Sequence, residues 1–451
     1  MARYLRSRNS YWIKRTDPII QNNNKISRQL LIFFCLLHNT QKDLPTFEYI
    51  IEMYMQSLKE LYKAGAGPSS SHTLAPYRAC ILFKEVNGTF PYYEAELYGS
   101  LSLTGKGHRT DRIIEETLGN CRVVFKREWD EEFPNGFYLR GFDENKKEVV
   151  RWTVFSIGGG SIKIKEYPLD YNDEVYNENS YRDIKERLQK EGIDLKDYAY
   201  MYEKDLHAYL CGIVKNMCDC VRNGLGTEGI LPGELKMARS AHKLYEEALN
   251  AGPEQERLKL MAYAYAAGEE NADGKICVTS PTLGSCGIMA SLIYYLYHDM
   301  HYSVDELADA LAVGGIFGNI VKQNATISGA VGGCQAEIGV AVSMAAATYA
   351  YILGLDTDQI EYAAEIGIEH HLGLTCDPVK GYVMIPCIER NAVGVLRAID
   401  AAVLAKFMSK VKGHVISFDM VVKTMNETGK MIPIELKETS AGGLAKEYLD
   451  K

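Results

Sequence analysis

The 451 residues carry no excess of positive charge. Fifty Lys and Arg stand against 59 Asp and Glu, a formal net charge of −9, the wrong sign for a chain that grips phosphate backbones, so nucleic acid is not an expected partner. The one apolar run of the first 47 residues, Leu30 to Leu37, is eight residues long. A membrane span needs ~20, and no small-residue cleavage site follows as in a secretory signal, so no membrane partner is expected either. The 11 cysteines are odd in number and scattered, which argues against a disulfide-stapled secreted domain and for a reducing, cytoplasmic setting. G-x-S-x-G is missing, which removes the usual serine nucleophile elbow. No period of self-similarity suggests a repeat solenoid.

What is present is a globular composition, 47% hydrophobic and 24% charged, on a chain longer than the ~250–300 residues at which single cores stop growing. Two or more domains are expected. Residues 1–47 hold eight basic and two acidic residues, or +6, and read as a non-native or disordered extension, since Met53 or Met55 would open a normal amphipathic segment. From 48 to 170 the pattern is α+β. AELYGSLSL (95–103), CRVVFK (121–126), NGFYLRGF (135–142) and VVRWTVFSI (149–157) read as strands, rich in β-branched and aromatic residues. PYRACILFKEV (76–86) and HRTDRIIEETLG (108–119) read as helices. Residues 171–198, polar and charged, read as a linker opening into helix. Residues 199–451 are Ala/Leu-rich, 3.6-periodic and closed by Gly or Lys, which predicts an all-helical domain. The fold class expected is therefore α+β, an α+β domain followed by an all-α one.

Cys334, Cys376 and Cys387 stand beside glycine or proline at helix edges, in AVGGCQAE, TCDPVKG and IPCIERN. Such places give sulfur room to approach a metal, whereas a cysteine in mid-helix usually packs. Three thiolates at one point would suit zinc or an iron–sulfur cluster with one open iron, although this spacing fits no short metal pattern. The rival cluster is His207, Cys211, Cys218 and Cys220. Cys218 and Cys220 lie about 200° apart on a helix, so packing is the stronger reading. Glu369, His370 and His371 near a helix end suggest capping or solvation before metal. GAGPSSSHT (65–73) places hydroxyls, amides and one imidazole in a turn entering a helix, suited to a carboxylate or phosphate or to simple capping. GSLSLTGKGHRTD (99–111) repeats that theme with His108. SIGGGSIKIK (156–165) lacks both phosphate-loop patterns and reads as a tight turn.

Taken in order, GPSSSHT, LYGSLSLTGKGHRTD, SIGGGS, EGILPGEL, EENADGKICVTSPT, NATISGAVGGCQAE, CDPVKGYVMIPCIERNA and ETSAGGLA resemble the iron–sulfur-dependent L-serine dehydratases (L-serine ammonia-lyases) in their single-chain, two-domain form. The resemblance runs from about Leu58 to Leu444. It implies conversion of L-serine to pyruvate and ammonia, and a [4Fe–4S] cluster on Cys334, Cys376 and Cys387 whose open iron acts as a Lewis acid on the serine hydroxyl. It also implies a regulatory-type first domain, a catalytic helical second domain and a homo-oligomer, a dimer. His72 and His108 are then candidates for base or substrate positioning. Ser69, Ser70, Ser71 and Thr73 are candidates for the carboxylate, and Glu337 reads as support for the ligands. Family members commonly end in a cysteine that can occupy the open iron; no cysteine follows Cys387 here, so regulation by such a tail is not expected. SPTLGSCGIMAS (280–291) departs from the family's usual version, leaving threonine or another β-hydroxy amino acid open as substrate. A pyridoxal-phosphate dehydratase, with Lys163 or Lys165 as its lysine, and a non-catalytic amino-acid or redox sensor are the alternatives.

Overall fold

The structure, a computed structural model, describes residues 54–127, 129, 131, 133–167 and 174–450; the extension expected at 1–47 lies outside them. Two large hydrophobic cores, with a small third cluster of Leu231, Ala272, Met384 and Ile388, organise the described residues. The smaller of the two cores belongs to a five-stranded sheet and its helices. In chain order the strands of the body are β1 (Met55–Gln56), β2 (Ala64–Ala66), β3 (Tyr92–Tyr98), β4 (Cys121–Phe125), β5 (Asn135–Phe142), β6 (Glu148–Gly158), β7 (Ser161–Ile164), β8 (Glu174–Tyr176) and β9 (Ile276–Val278). The sheet runs β4-β3-β5-β6-β7, parallel between β3 and β4 and antiparallel elsewhere. Strand alternation sets its two faces. Tyr93, Ala95 and Leu97 point to the core with Phe137, Leu139, Trp152 and Val154, while Glu94 and Glu96 face Arg140 at 2.9 and 2.8 Å. Helices α1 (Ala75–Asn87) and α3 (Thr110–Leu118) cover the apolar face with Ala79, Phe83, Ile114 and Leu118.

The strand expected over 95–103 stops at Tyr98. Gly99 takes φ +56° and GSLSL winds into the short helix α2 (Gly99–Leu103), its Ser100 amide donating to Asn135 Oδ1 at 3.1 Å. The triple glycine forms the turn between β6 and β7, all three residues at positive φ, as its sequence suggests.

The larger core is helical. Its helices are α4 (Tyr181–Glu191), α5 (Leu195–Tyr202), α6 (Leu206–Leu225), α7 (Ala241–Leu249), α8 (Gln255–Ala272), α9 (Cys286–His298), α10 (Val304–Asn324), α11 (Gly329–Gly332), α12 (Ile338–Ile352), α13 (Thr357–Glu369), α14 (Cys387–Met408), α15 (Phe418–Met431) and α16 (Gly443–Leu449). Small residues let their backbones approach. A Cβ on Gly224 of α6 would lie 2.3 Å from the Ala266 carbonyl oxygen of α8, so only glycine permits that crossing. The segment read as a linker is part of this core: Tyr181, Ile184 and Leu188 are buried, three apolar residues at helical spacing sufficing to dock an otherwise polar helix. The first described residues, expected in the α+β part, also join this core. Leu58, Leu61 and Tyr62 sit in the helical core, and β2 pairs with β9. No helix among the described residues is long and apolar enough to cross a membrane.

Candidate active site

Three backbone devices bring the edge cysteines together. Cys334 opens a single 3-10 turn after Gly333, whose φ of +72° and ψ of −173° only glycine adopts readily. Gln335 pins that turn, donating to Met425 O at 3.0 Å and accepting from the Gly373 amide at 2.9 Å. Cys376 is held like a strand residue, its N–H donating to Leu436 O (2.8 Å) and its carbonyl accepting from the Glu438 N–H (2.6 Å). Cys387 begins α14, and Asn391 one turn later donates to both Cys387 O and Gly284 O at 2.8 Å. All three cysteines line one pocket with Ser69, His108, Gly284, Glu337, Ile338, Pro378, Val383 and Glu438.

Within it, one ligand atom each from Cys334, Glu337 and Cys376 lie within 4.8 Å of one another. A hydrogen bond with Cys334, and burial, push the Cys376 thiol up; burial and the neighbouring Cys334 do the same to Cys387. Crowded, buried thiols disfavour the anion, and a bound cation reverses that. Arg390, one turn into α14, lies beside Cys334 and Cys387 and pairs with Asp377 at 3.2 Å, which outweighs its burial and keeps its pKa up; it donates to Thr375 O at 2.7 Å. The donor set, three sulfurs and no fourth thiol lining the pocket, fits a metal centre with one position left for a non-protein ligand.

The opposite wall comes from the α+β side. GPSSSHT enters α1 through a π-helical turn, Ser70–Leu74, capped by Ser69, which accepts from the His72 N–H. His72 is enclosed: Nδ1 lies 2.8 Å from Ser71 Oγ, and Nε2 lies 3.0 Å from both Ser100 Oγ and Thr104 Oγ1. His108 stacks on it with ring centroids 4.3 Å apart. His108 Nδ1 faces Thr104 O at 3.0 Å; a carbonyl only accepts, so Nδ1 carries the hydrogen and Nε2 presents a lone pair. Burial holds the His108 pKa down to about 4 and, with His108 alongside, lowers that of His72.

Of the four hydroxyl residues expected to bind a carboxylate, Ser69 lines the pocket and Ser71 bonds His72. Ser70 and Thr73 serve elsewhere: Ser70 Oγ accepts from the Leu283 N–H at 2.6 Å, and Thr73 Oγ1 donates to His108 O at 2.8 Å. They hold the pocket walls. The rival cluster is divided. His207 and Cys211 face Asp305 of α10, while Cys218 and Cys220 are buried in the helical core, Cys220 against Cys277 at 3.4 Å. His370 and His371 bond carbonyls of their own helix. Lys165 pairs with Glu131, and Lys163 lies over the Phe133 ring. Neither lysine is among the residues lining the cysteine pocket.

Two groups, Glu438 in the pocket and Arg390 beside its cysteines, escape sequence reasoning. Arg390 had a signal, three residues after Cys387 on a helix start. Glu438 had none beyond lying in ETSAGGLA.

The known proteins give the arrangement its family. Residues 52–445 match the model for the serine dehydratase alpha chain. The chain belongs to that family. L-serine dehydratase 1 of Escherichia coli (strain K12) is 37% identical over 87% of this chain and 99% of its own length. The L-serine dehydratases of Haemophilus influenzae and Streptomyces coelicolor are 34% and 35% identical, each over 87% of this chain and 99% of theirs. The match spans both the α+β part and the helical part, so all three cysteines and both histidines fall inside it.

Proposed function

We propose that this chain is an L-serine dehydratase, an ammonia-lyase that converts L-serine to pyruvate and ammonia, with a [4Fe–4S] cluster held by Cys334, Cys376 and Cys387. The observation that carries the reading is the lining of one buried pocket by those three cysteines, from three separate segments, with a neutral imidazole, the Cys334 and Cys376 sulfurs lying within 4.8 Å of each other. When bound, the cluster supplies a Lewis acid for departure of the β-hydroxyl.

The chain's own residues supply the rest. His108 Nε2, with its lone pair facing the pocket, accepts the α-proton; a neutral imidazole is ready to do so throughout the physiological range. His72 does not reach substrate in this reading. It fixes the plane of His108 by stacking and anchors Ser71, Ser100 and Thr104 around it. The Ser69 hydroxyl binds the substrate carboxylate. Arg390 neutralises the thiolate charge that the cluster ligands carry. Apolar walls, Ile338, Pro378 and Val383, limit water around the proton transfer. By its family, the chain is further proposed to act in amino-acid degradation as a cytoplasmic homo-oligomer.

The test is anaerobic purification followed by assay of pyruvate and ammonia from L-serine. An oxygen-labile brown protein that releases both in equal amounts is expected. A stable yellow protein bleached by borohydride, or no release from an iron-loaded preparation, contradicts the proposal.

A further inference from the structure

Serine arrives as a zwitterion, so a pocket that buries it must answer a permanent cation as well as a carboxylate. Two carboxylates line the pocket, Glu337 and Glu438. Glu337 belongs to the thiol side: its Oε2 lies 3.8 Å from Cys376 Sγ, and the Thr282 hydroxyl bonds it.

Glu438 is differently placed. Its backbone is clamped at both ends, N–H to Cys376 O at 2.6 Å and carbonyl from Ser100 Oγ at 2.6 Å, with φ held at +59°. Oε1 stands 3.4 Å from His72 Nδ1 and 3.8 Å from His108 Nε2. The other oxygen, Oε2, is buried without a well-formed hydrogen bond among the described residues, on a residue only 5% exposed, and the Ser71 hydroxyl and Ala330 amide are the protein donors beside the carboxyl. A carboxylate oxygen so placed in a buried pocket calls for a further donor.

We propose that Glu438 receives the α-ammonium group of the amino-acid substrate. This rests on the reading of the pocket as a serine site. The placement accounts for proton abstraction. The α-carbon is one bond from the ammonium nitrogen, so an ammonium bonded to Glu438 sets the α-hydrogen beside His108 Nε2. With the carboxylate on Ser69 and the β-hydroxyl toward the cysteines, three attachments fix the substrate's hand.

The test compares L-serine with 3-hydroxypropanoate, which keeps the carboxylate and the β-hydroxyl but has hydrogen in place of the ammonium. Glu438→Gln preserves shape and backbone preference and removes the charge. In the anaerobic holoenzyme, E438Q raises the KM for L-serine at least about tenfold, the worth of one charge-assisted hydrogen bond. The inhibition constant of 3-hydroxypropanoate changes less than about twofold, and E337Q shows no such split. Equal weakening of both ligands, no weakening of either, or the split appearing in E337Q instead overturns the proposal. If E438Q loses iron or unfolds, calorimetry on the wild-type holoenzyme decides: L-serine must bind at least about tenfold more tightly than 3-hydroxypropanoate, and equal affinity overturns the assignment. A wild-type holoenzyme that binds L-serine selectively but releases no pyruvate refutes the dehydratase reading and leaves the Glu438 contact standing.

Discussion

Replacing Gly333 with alanine tests whether the turn before Cys334 is built for the metal site. At φ +72° and ψ −173° the backbone occupies a region essentially reserved for glycine, which costs a side-chain-bearing residue about 1–3 kcal/mol. The added Cβ would also lie 2.8 Å from the Leu374 carbonyl oxygen, a backbone atom that the Gln335 amide bonds at 3.2 Å and that cannot swing aside. Overpacking of this kind costs about 1–3 kcal/mol. Relief of some 2–6 kcal/mol of strain is available by rotating the turn, which carries Cys334 away from Cys376. Gly333→Ala should therefore bind far less iron than wild type while keeping its far-ultraviolet circular dichroism. Gly212→Ala is the control. It lies in the middle of α6, exposed, with nothing within 4 Å of the new methyl, so it should keep its iron and gain up to ~1 kcal/mol of stability. Wild-type iron content and melting temperature in Gly333→Ala would refute this account of the turn.

Cys218→Ala and Cys220→Ala should each retain iron and turnover with a packing loss of ~1–2 kcal/mol in denaturant unfolding; loss of iron from either would move the metal site. His108→Asn should lower kcat by about 10²–10⁴-fold with iron per chain unchanged, and near-normal kcat would exclude His108 as the base. Stability should also fall on acidification. His108 has a folded pKa of about 4 against ~6.5 when unfolded, so between those values the unfolded chain binds the extra proton. Its contribution is complete above pH ~6.5 and is lost as pH falls toward 4, on the order of 3 kcal/mol; a His108→Gln variant with an equally steep pH dependence of unfolding would contradict this.

Local chemistry was legible in the sequence and long-range meeting was not. The strands 121–126, 135–142 and 149–157 announce themselves by β-branched and aromatic residues, and the Ala/Gly helices by their period. Glycine and proline marked the three cysteines as edge residues. Spacing could not show that Cys334, Cys376 and Cys387 converge, because a tertiary crossing and not a short loop brings them together; the resemblance supplied that. Tyr181, Ile184 and Leu188 were overlooked because charged neighbours hid a three-residue apolar stripe. Ser70 and Thr73 sit in the right turn with hydroxyls bonded to the scaffold, a matter of rotamer that no sequence pattern carries. Glu438 is invisible for a related reason: its importance lies in a clamp on Cys376 and Ser100, partners 62 and 338 residues away in the chain.

The central claim is that these three cysteines hold the cluster on which serine turnover depends. Iron, acid-labile sulfide and the rate of pyruvate release should be measured in one anaerobic preparation of wild type and of Cys376→Ala. The account predicts iron and sulfide in equal amounts with turnover in wild type, and loss of all three in the variant. Turnover by a wild-type protein free of iron, or full iron and turnover in Cys376→Ala, would contradict it.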